Sequence, residues 1–339
     1  MTAMLAQYQH LLEQICAAPD LPIEAYTLVT PQARMMLPDA SQPIAEPRFP
    51  LVAETIAAWR EKDPRAIAIS QGQRCWSYDE VWRNALAVAH ALRAQGVRSG
   101  DVVAISGPRS FGFIAAMVGV LTAGGVLLTV ERKLPLQRQR LLLREARAGH
   151  LVYVGDLRDE DRWLREIATL KLMTIAAAGD TIAAKFAAKP EAAANAEAQD
   201  LLPCRPAPDD PAYIFFTSGT TGTPKGILGN HKGLAHFLDW QRATFAIGPG
   251  DRFAHLTGLS FDVLLRDVFR PLTSGARLHL PPADDLTPAT ILPWLGREKI
   301  SALHTVPTLA QSWLADPVAT LPLPELRCLF FSGEPLTGP

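Results

Sequence analysis

The sequence predicts an α/β fold built on parallel β-sheets. From Phe49 onward, short apolar segments of strand length, such as residues 102–106 and 276–280, alternate with longer segments that have helical periodicity. Strands separated by helices of this length indicate right-handed βαβ units, whose parallel sheets are covered by helices on both faces. Hydrophobic residues make up 48% of the 339 residues, so a large core is available. The length suits one large α/β domain or two to three smaller ones.

Two elements precede the α/β pattern. Residues 1–17 have apolar side chains at helical spacing and predict an amphipathic helix. Seven prolines then fall between Pro19 and Pro50. They favour an extended connector, because proline cannot continue a helix or donate a backbone hydrogen bond. We therefore predict that residues 1–48 form an N-terminal helix and a linker.

Within the α/β region, cap and glycine signals locate the elements. Residues 77–80, Ser-Tyr-Asp-Glu, have the spacing of a capping box and predict the start of a helix. The uncharged stretch 111–130 is long enough to cross a bilayer, but its glycines and strand-like end favour a buried helix, a turn and a buried strand. The alanine-rich segment 176–199 separates a predicted first subdomain, residues 49–200, from a second, residues 201–339.

Composition argues against several classes of protein. The formal net charge of −1 does not favour a nucleic-acid partner, which would select a basic surface. The cysteines are scattered without a C-x-x-C pair, which argues against a zinc site or a disulfide framework and fits a reducing compartment. The N-terminus lacks the basic and apolar regions of a signal peptide, so we predict a cytoplasmic protein without a membrane partner. The cysteines are Cys16, Cys75, Cys204 and Cys328.

The most informative stretch is a loop that follows the apolar segment 213–216. From Thr217 to Gly226 it contains five hydroxyl residues, three glycines and one lysine. Glycine lets the backbone approach a ligand closely, and successive amide N–H groups in such a loop form a concavity that binds anions. Lys225 adds a mobile positive charge suited to phosphate. The spacing differs from that of a Walker A loop, so we predict a phosphate-binding loop of another kind.

This loop resembles the T-S-G-T-T-G-x-P-K-G signature of the adenylate-forming superfamily, which includes acyl-CoA synthetases, luciferases and the adenylation domains of nonribosomal peptide synthetases. Residues 121–126 likewise resemble the family's L-K-A-G-G-A block, although the P-L-D-P that usually follows is absent from residues 128–133. The resemblance extends from Phe49 to Pro339. It implies the two flavodoxin-like parallel-sheet subdomains of an adenylate-forming enzyme's large domain, with the C-terminal parts of that enzyme missing.

The resemblance also implies a reaction. Such enzymes use ATP to activate a carboxylic acid as an acyl-adenylate, and the peptide synthetase members load it onto the phosphopantetheine of a carrier protein. Lys225 would be the catalytic residue that stabilises charge on the departing pyrophosphate. The predicted phosphate-binding residues are Thr217, Ser218, Gly219, Thr220, Thr221, Gly222 and Lys225.

Further parts of the site follow from the same resemblance. Gly333 and Glu334 resemble a segment that lies against the adenine. Mg²⁺ would be the second cofactor, with its main protein ligand expected beyond residue 339, and no metal site is predicted within the chain. Residues 1–48 resemble the end of a condensation domain and its linker, which implies neighbouring synthetase domains as partners. Without the later parts, we expect this fragment alone to be inactive or impaired in adenylation.

A substrate pocket is implied by residues 261–264, which resemble the F-D-x-S motif of peptide synthetases. There the aspartate, Asp262 in this chain, holds the α-ammonium of an amino acid. Five of the six pocket positions agree with serine-activating members, and only Arg266 departs, from the usual tryptophan. A guanidinium in a small pocket favours an acidic or strongly polar substrate group. The pocket residues implied are Asp262, Val263, Arg266, His304, Phe330 and Ser332.

Spacing on the predicted helix leaves the substrate open. Asp262 and Arg266 are four residues apart with the aspartate first, which is the favourable order for an ion pair. If they pair, Asp262 grips an ammonium less well, and the substrate is a hydroxy, keto or other carboxylic acid without an amine. The remaining alternatives are a stand-alone acyl-CoA ligase and a nucleotide-binding or interaction fragment without turnover.

Overall fold

The structure, a computed structural model, describes residues 2–37, 50–179, 185–186, 204–217, 224–282, 287–315 and 322–336. The chain divides into two compact units, Met1–Arg48 and Phe49–Pro339. Both sheets described below belong to the second unit.

The first unit is helical where it is described. Helix α1 (Thr2–Ala17) occupies the segment that the periodicity predicts. A 3-10 helix (Ile23–Ala25) and the short helix α2 (Pro31–Arg34) follow in the proline-rich stretch. Gln14 connects α1 to this stretch, because its side-chain amide donates to the carbonyl of Thr27 at 2.8 Å and accepts from its N–H at 3.1 Å.

The second unit alternates helices and strands. Its helices are α3 (Val52–Lys62), α4 (Tyr78–Ala94), α5 (Phe111–Thr122), α6 (Leu136–Glu145), α7 (His231–Thr244), α8 (Val263–Thr273), α9 (Pro288–Arg297) and α10 (Pro307–Leu314). Its strands are β1 (Ile67–Gln71), β2 (Arg74–Ser77), β3 (Val102–Ser106), β4 (Val126–Thr129), β5 (His150–Val154), β6 (Lys171–Ile175), β7 (Lys185–Phe186), β8 (Pro211–Thr217), β9 (Lys225–Asn230), β10 (Arg252–Ala254), β11 (Arg277–His279), β12 (Ala302–Thr305) and β13 (Cys328–Phe331). A 3-10 helix (Asp159–Glu166) lies between β5 and β6.

The described strands form two sheets that are mainly parallel. One has six strands in the order β13-β12-β10-β11-β1-β2, and the other has seven in the order β7-β6-β5-β3-β4-β8-β9. The antiparallel pairs are β1 with β2, β6 with β7 and β8 with β9. The α/β fold with two parallel-sheet regions, predicted from the alternation of elements, is therefore confirmed.

The two sheets do not follow the order of the chain. β1 and β2 complete the six-stranded sheet beside β11, whereas β8 and β9 extend the seven-stranded sheet beside β4. The predicted division at residue 200 therefore does not coincide with the division between the sheets. Ile69 pairs with Leu278, for example, and periodicity within a short window carries no information about partners so distant in sequence.

Helix α5 accounts for the long uncharged stretch. All of its residues are buried, and a Cβ added at Gly119 would lie only 2.8 Å from the carbonyl oxygen of Ala85 in α4. The glycine thus permits the close approach of two helices in the core. β4 follows α5 and is also completely buried, as the strand-like end of the stretch predicts. Among the described residues, no helix has both the length and the hydropathy needed to cross a membrane.

The predicted capping box is present at the start of α4. The Ser77 hydroxyl accepts a hydrogen bond from the Glu80 N–H at 3.2 Å, and the Glu80 carboxylate accepts from the Ser77 N–H at 2.7 Å. Together they satisfy two backbone donors that the helix leaves unpaired, and such a cap stabilises a helix by about 1 kcal/mol.

Candidate functional site

The predicted phosphate loop connects two strands of a β-hairpin. Thr217 and Lys225 are paired residues at the ends of β8 and β9, and the Thr217 hydroxyl lies 3.5 Å from the Lys225 carbonyl. Both side chains are exposed. The loop therefore begins and ends at the carboxyl end of β8, where parallel sheets commonly bind ligands. The predicted residues between them, Ser218, Gly219, Thr220, Thr221 and Gly222, lie outside the described residues.

β9 completes this hairpin, and the sequence did not predict it as a strand. It contains Gly229, whose Cα faces the ring of Tyr213 on β8, so that an added Cβ would lie 2.0 Å from Tyr213 Cζ. Burial raises the pKa of the Tyr213 hydroxyl, and the nearby negative charge of Asp262 raises it further. Tyr213 therefore senses the charge of Asp262 from β8, the strand that leads to the predicted phosphate loop.

The loop between β10 and α8 carries the motif that includes Asp262. Ser260 accepts a hydrogen bond from the Glu131 N–H at 3.2 Å, immediately after β4 of the other sheet. Arg109, in the connection after β3, donates to the carbonyl of Leu256 at 3.3 Å and to that of Thr257 at 2.5 Å. The carboxyl ends of strands from both sheets therefore meet around this loop. Neither Arg109 nor Glu131 was predicted as a site residue.

Asp262 and Arg266 do not form the ion pair that their spacing permits. Asp262 is the exposed N-cap residue of α8, and its side chain accepts no capping hydrogen bond there. The guanidinium of Arg266, one turn later, lies over the ring of Phe237 at 5.7 Å from the ring centroid. Among the described residues, the ion pairs within 4.0 Å around α8 involve other side chains, and none of them pairs Asp262 with Arg266. The side chain of Asp262 is therefore exposed at the start of α8 and is not engaged by Arg266.

His304 and Phe330 are neighbours in the third positions of β12 and β13. The two residues are paired in register, and their ring centroids are 4.8 Å apart. His304 is buried and Phe330 is half-buried. Val263 and Ser332 are half-buried at the start of α8 and just after β13. The structure thus brings two predicted pocket residues into contact and leaves the assignment of all six as a prediction.

Gly333 and Glu334 follow β13. Gly333 has φ 86°, a left-handed conformation that favours glycine. The Glu334 carboxylate accepts hydrogen bonds from the N–H of Thr308 at 3.0 Å and from its hydroxyl at 2.9 Å. Glu334 therefore satisfies donors in the first turn of α10, a position where a negative charge is favourable. Its predicted place beside the adenine remains a prediction.

A buried polar cluster lies behind His304. Asp267 on α8 is in contact with Nδ1 of His304 at 2.9 Å and of His255 at 3.4 Å, and it accepts from the Thr257 hydroxyl at 2.8 Å. Burial alone would raise the pKa of the Asp267 carboxyl, but the two histidines hold it well below its ordinary value. Burial lowers the pKa of His304 despite the opposing effect of Asp267, so its ring is neutral at neutral pH.

Asp267 and its neighbour Arg270 were not predicted as site residues. Arg270 is 0% exposed and contacts Nδ1 of His304 at 2.7 Å through Nη2. The signal available in the sequence was a pair of opposite charges, Asp267 and Arg270, among the apolar residues of an amphipathic helix. Such residues are rarely buried without a partner.

The described residues contain no group of three or more His, Cys, Asp or Glu side chains arranged to hold a metal ion. The donors suited to a polyphosphate are the exposed Lys225 ammonium and the loop that precedes it, and this chemistry fits ATP.

The two parallel-dominated sheets agree with the large-domain fold that the resemblance to adenylate-forming enzymes implies. Residues 56–338 match the AMP-binding enzyme family, and the chain belongs to it. The predicted resemblance is therefore confirmed.

Comparison with individual proteins agrees with this family assignment. The chain is 31% identical over 331 residues to a plipastatin synthase subunit of Bacillus subtilis (strain 168), covering 96% of this chain and 12% of that protein. It is 30% identical over 355 residues to the L-2-aminoadipate reductase large subunit of Eremothecium gossypii, covering 98% of this chain and 25% of that protein. The crystal structure of the nonribosomal peptide synthetase FmoA3 matches with a TM-score of 0.76 and 26% identity, covering 98% of this chain and 34% of that one. The chain thus spans about a third or less of the length of these relatives.

Proposed function

We propose that this chain forms the acid-binding and ATP-binding part of an adenylation domain of a nonribosomal peptide synthetase. The complete domain activates a carboxylic acid as an acyl-adenylate and loads it onto the phosphopantetheine of a carrier protein. The observation that carries the proposal is the hydrogen bond at 3.2 Å from the Glu131 N–H, just after β4, to Ser260 in the loop of Asp262. β4 pairs in parallel with β8, the strand that leads to the loop of Lys225. A site for the acid and a site for the triphosphate then lie next to each other, as the reaction requires.

The chemical step needs positioning and charge neutralisation. A carboxylate oxygen of the acid forms a bond to the α-phosphorus of ATP, while the bond from that phosphorus to the bridging oxygen breaks and pyrophosphate leaves. Lys225 and the loop amides hold the β- and γ-phosphates and stabilise the negative charge that moves onto pyrophosphate. Thr217 and the hydroxyl residues of the loop add neutral donors. ATP and Mg²⁺ are the cofactors of this proposal, with the main Mg²⁺ ligand beyond residue 339.

We infer that the substrate is an amino acid with a small polar or acidic side chain. Since Arg266 stacks on Phe237, Asp262 is available to bind an α-ammonium by a charge-assisted hydrogen bond. This geometry favours an amino acid over a hydroxy or keto acid. A further FmoA3 structure, described as bound to α-methyl-L-serine-AMP, matches this chain with a TM-score of 0.75 and 27% identity. That likeness supports a serine-like substrate.

The proposal extends to partners and compartment. The carrier protein and neighbouring synthetase domains, with a condensation-like domain upstream, are the expected partners in natural-product biosynthesis. The similar protein from Bacillus subtilis is, by its name, one subunit of plipastatin synthase. We place the protein in the cytoplasm, where ATP is available. Neither a nucleic acid nor a membrane is part of this proposal.

The test is acid-dependent exchange of pyrophosphate into ATP by the complete protein across a panel of amino, hydroxy and keto acids. We expect serine and small polar or acidic amino acids to respond. Asp262→Asn should lower kcat/KM for the amino acid about 10- to 100-fold, the effect of losing one hydrogen bond to a charged group. Asp239→Asn, in an exposed pair with Arg242 on α7, is the matched control and should leave exchange unchanged.

Other results of this assay would replace the proposal. Exchange with hydroxy or keto acids alone would assign a substrate without an amine. Acyl-CoA formation without carrier loading would assign a stand-alone ligase. Binding of ATP without exchange for any acid would assign a nucleotide-binding protein without turnover.

A further inference from the structure

Arg270 is the largest fully buried side chain among the described residues. It lies on α8, with its guanidinium carbon 4.4 Å from the ring centroid of Phe330 and 4.8 Å from that of Phe253. The planar guanidinium thus contacts two aromatic rings, an arrangement that favours arginine over lysine.

Arg270 makes polar contacts with one candidate pocket residue and with α7. Nη2 lies 2.7 Å from Nδ1 of His304, and Nη1 donates to the side-chain oxygen of Gln241 at 3.5 Å. Nε has no hydrogen-bond partner among the described residues. Burial lowers the pKa of Arg270 to about 10, partly offset by the charge of Asp267, so the group is a cation at neutral pH.

A cation in this position is a costly way to stabilise a core. Taking a charge out of water costs several kcal/mol, and replacing a buried ion pair by apolar residues of similar volume is often neutral or stabilising. A methionine or leucine would fill comparable space without leaving a donor unpaired. The charge of Arg270 therefore has a use other than stability.

That use is indicated by the residues that Arg270 touches. His304 and Phe330 are two of the six residues predicted to line the acid pocket, and both contact the guanidinium of Arg270. Arg270 also follows Asp262 and Arg266 at intervals of four residues, which places all three on one face of α8.

We propose that Arg270 is a positioning residue for recognition of the acid, which holds the rings of His304 and Phe330 in place. With the proton on Nε2, Nδ1 of His304 accepts a hydrogen bond from Arg270 Nη2 at 2.7 Å; with the proton on Nδ1, it donates to Asp267 Oδ1 at 2.9 Å. In the first tautomer Arg270 fixes the imidazole. The stacked guanidinium fixes the ring of Phe330. This inference rests on the proposed function and assigns to it a specificity-determining residue that does not itself contact the substrate.

The test uses the complete protein and acid-dependent pyrophosphate exchange. Arg270→Met removes the charge and keeps an unbranched side chain. We expect it to raise KM for the acid about 10-fold or more and to change the ranking of the acids, with KM for ATP within about 2-fold, since a loss of this size corresponds to one hydrogen bond to a charged group. Arg270→Lys keeps the charge but not the planar stacking group, and it should restore part of the acid affinity.

Arg327→Met is the matched control. Arg327 belongs to the same sheet but pairs with Asp251 at its other end, at 2.7 Å. The control should lower the melting temperature and leave the acid ranking unchanged. If Arg270→Met does not fold, Arg270→Lys carries the test, because it retains the cation opposite Asp267.

Two results overturn the inference, and they are distinguishable. A native protein that exchanges with its acid, together with an Arg270 variant of unchanged acid KM and ranking, refutes the positioning role and leaves the proposed function intact. A native protein that exchanges with no acid refutes the proposed function and the inference with it.

Discussion

The six-stranded sheet carries an aspartate and an arginine near each end of its strands, and the two sites are built differently. At the amino ends, Oδ1 of Asp251 accepts from Arg327 Nε at 2.8 Å and from the Ser301 hydroxyl at 2.7 Å. Its Oδ2 accepts from Arg327 Nη2 at 2.7 Å and from the Gly248 N–H at 3.0 Å. Toward the carboxyl ends, Asp267 and Arg270 both approach Nδ1 of His304, which donates to Asp267 in one tautomer or accepts from Arg270 in the other. Arg270 also keeps an Nε without a partner among the described residues.

The difference separates a structural site from a candidate functional one. A bidentate pair with every lone pair engaged holds three loops together and has no capacity for a ligand. A buried cation with incomplete hydrogen bonding does little for stability, and such departures from full satisfaction tend to occur at functional sites. Variants at the two ends of the sheet test whether the structural site and the candidate functional site can be perturbed independently.

The largest expected effect on stability is at Asp251, near the amino ends of the strands of the six-stranded sheet. Asp251→Asn should lower the free energy of unfolding by about 2–3 kcal/mol, because it weakens charge-assisted hydrogen bonds around a buried carboxylate. Urea unfolding measures the change, and acid-dependent exchange by the folded variant should keep its ranking of acids. An altered ranking would mean that the amino end also shapes the pocket.

A second effect tests the hairpin that leads to the phosphate loop. Gly229→Ala would place a methyl group against the Tyr213 ring and should cost about 1–3 kcal/mol, the usual penalty of overpacking. Because Tyr213 lies near Asp262, the variant should also raise KM for the acid. Gly250→Ala is the matched control, since an added Cβ there meets no atom within 4 Å. Equal melting temperatures for the two variants would contradict the contact.

The dependence of stability on pH should come partly from Asp251. Burial opposes its ionisation, but hydrogen bonds from Arg327, Gly248 and Ser301 lower the pKa of its carboxyl below the ordinary value. A group with a lowered folded-state pKa stabilises the protein above its unfolded pKa, about 3.9 for aspartate, and loses that contribution as the pH falls through the folded value.

The stability difference between the native protein and Asp251→Asn should therefore be constant near neutral pH and shrink below about pH 4. Urea unfolding at a series of pH values measures it. A difference that persists or grows in acid would show that the pair does not contribute through its charge.

The smallest expected effect on stability is at Arg266. Arg266→Met should change the free energy of unfolding by less than about 1 kcal/mol, since a half-exposed cation over one ring contributes little. It should nevertheless change the ranking of acids by lowering the response to acidic side chains. Exchange rates for aspartate-like and serine-like acids measure this, and an unchanged ratio would remove Arg266 from the pocket.

Local features of the fold could be predicted from the sequence because their causes are local. The capping box at Ser77 and the buried helix of residues 111–122 depend on side chains a few positions apart, and both are present. The pairing of β1 with β11 could not be predicted, because it joins residues about 200 positions apart and depends on the whole sheet. β9 was not predicted as a strand, because it contains Gly226 and Gly229 and has exposed residues at four of its six positions.

The candidate site could be predicted only as far as its motifs extend. Asp262 and Lys225 stand in recognisable motifs, whereas Arg270 stands in an apolar helical pattern that predicts core packing. Its role depends on Phe330 and His304, which approach it only in the folded sheet. A single sequence carries no information about such partners.

The most direct test of the account measures two affinities in one exchange assay with the complete protein. Lys225→Met should raise KM for ATP about 10-fold or more, with little change in KM for the acid. Asp262→Asn should raise KM for the acid about 10-fold or more, with little change in KM for ATP. This opposite pattern would show that the two loops at the carboxyl ends of the strands bind different halves of one reaction. The account is contradicted if Lys225→Met and Asp262→Asn both leave KM for ATP and KM for the acid unchanged.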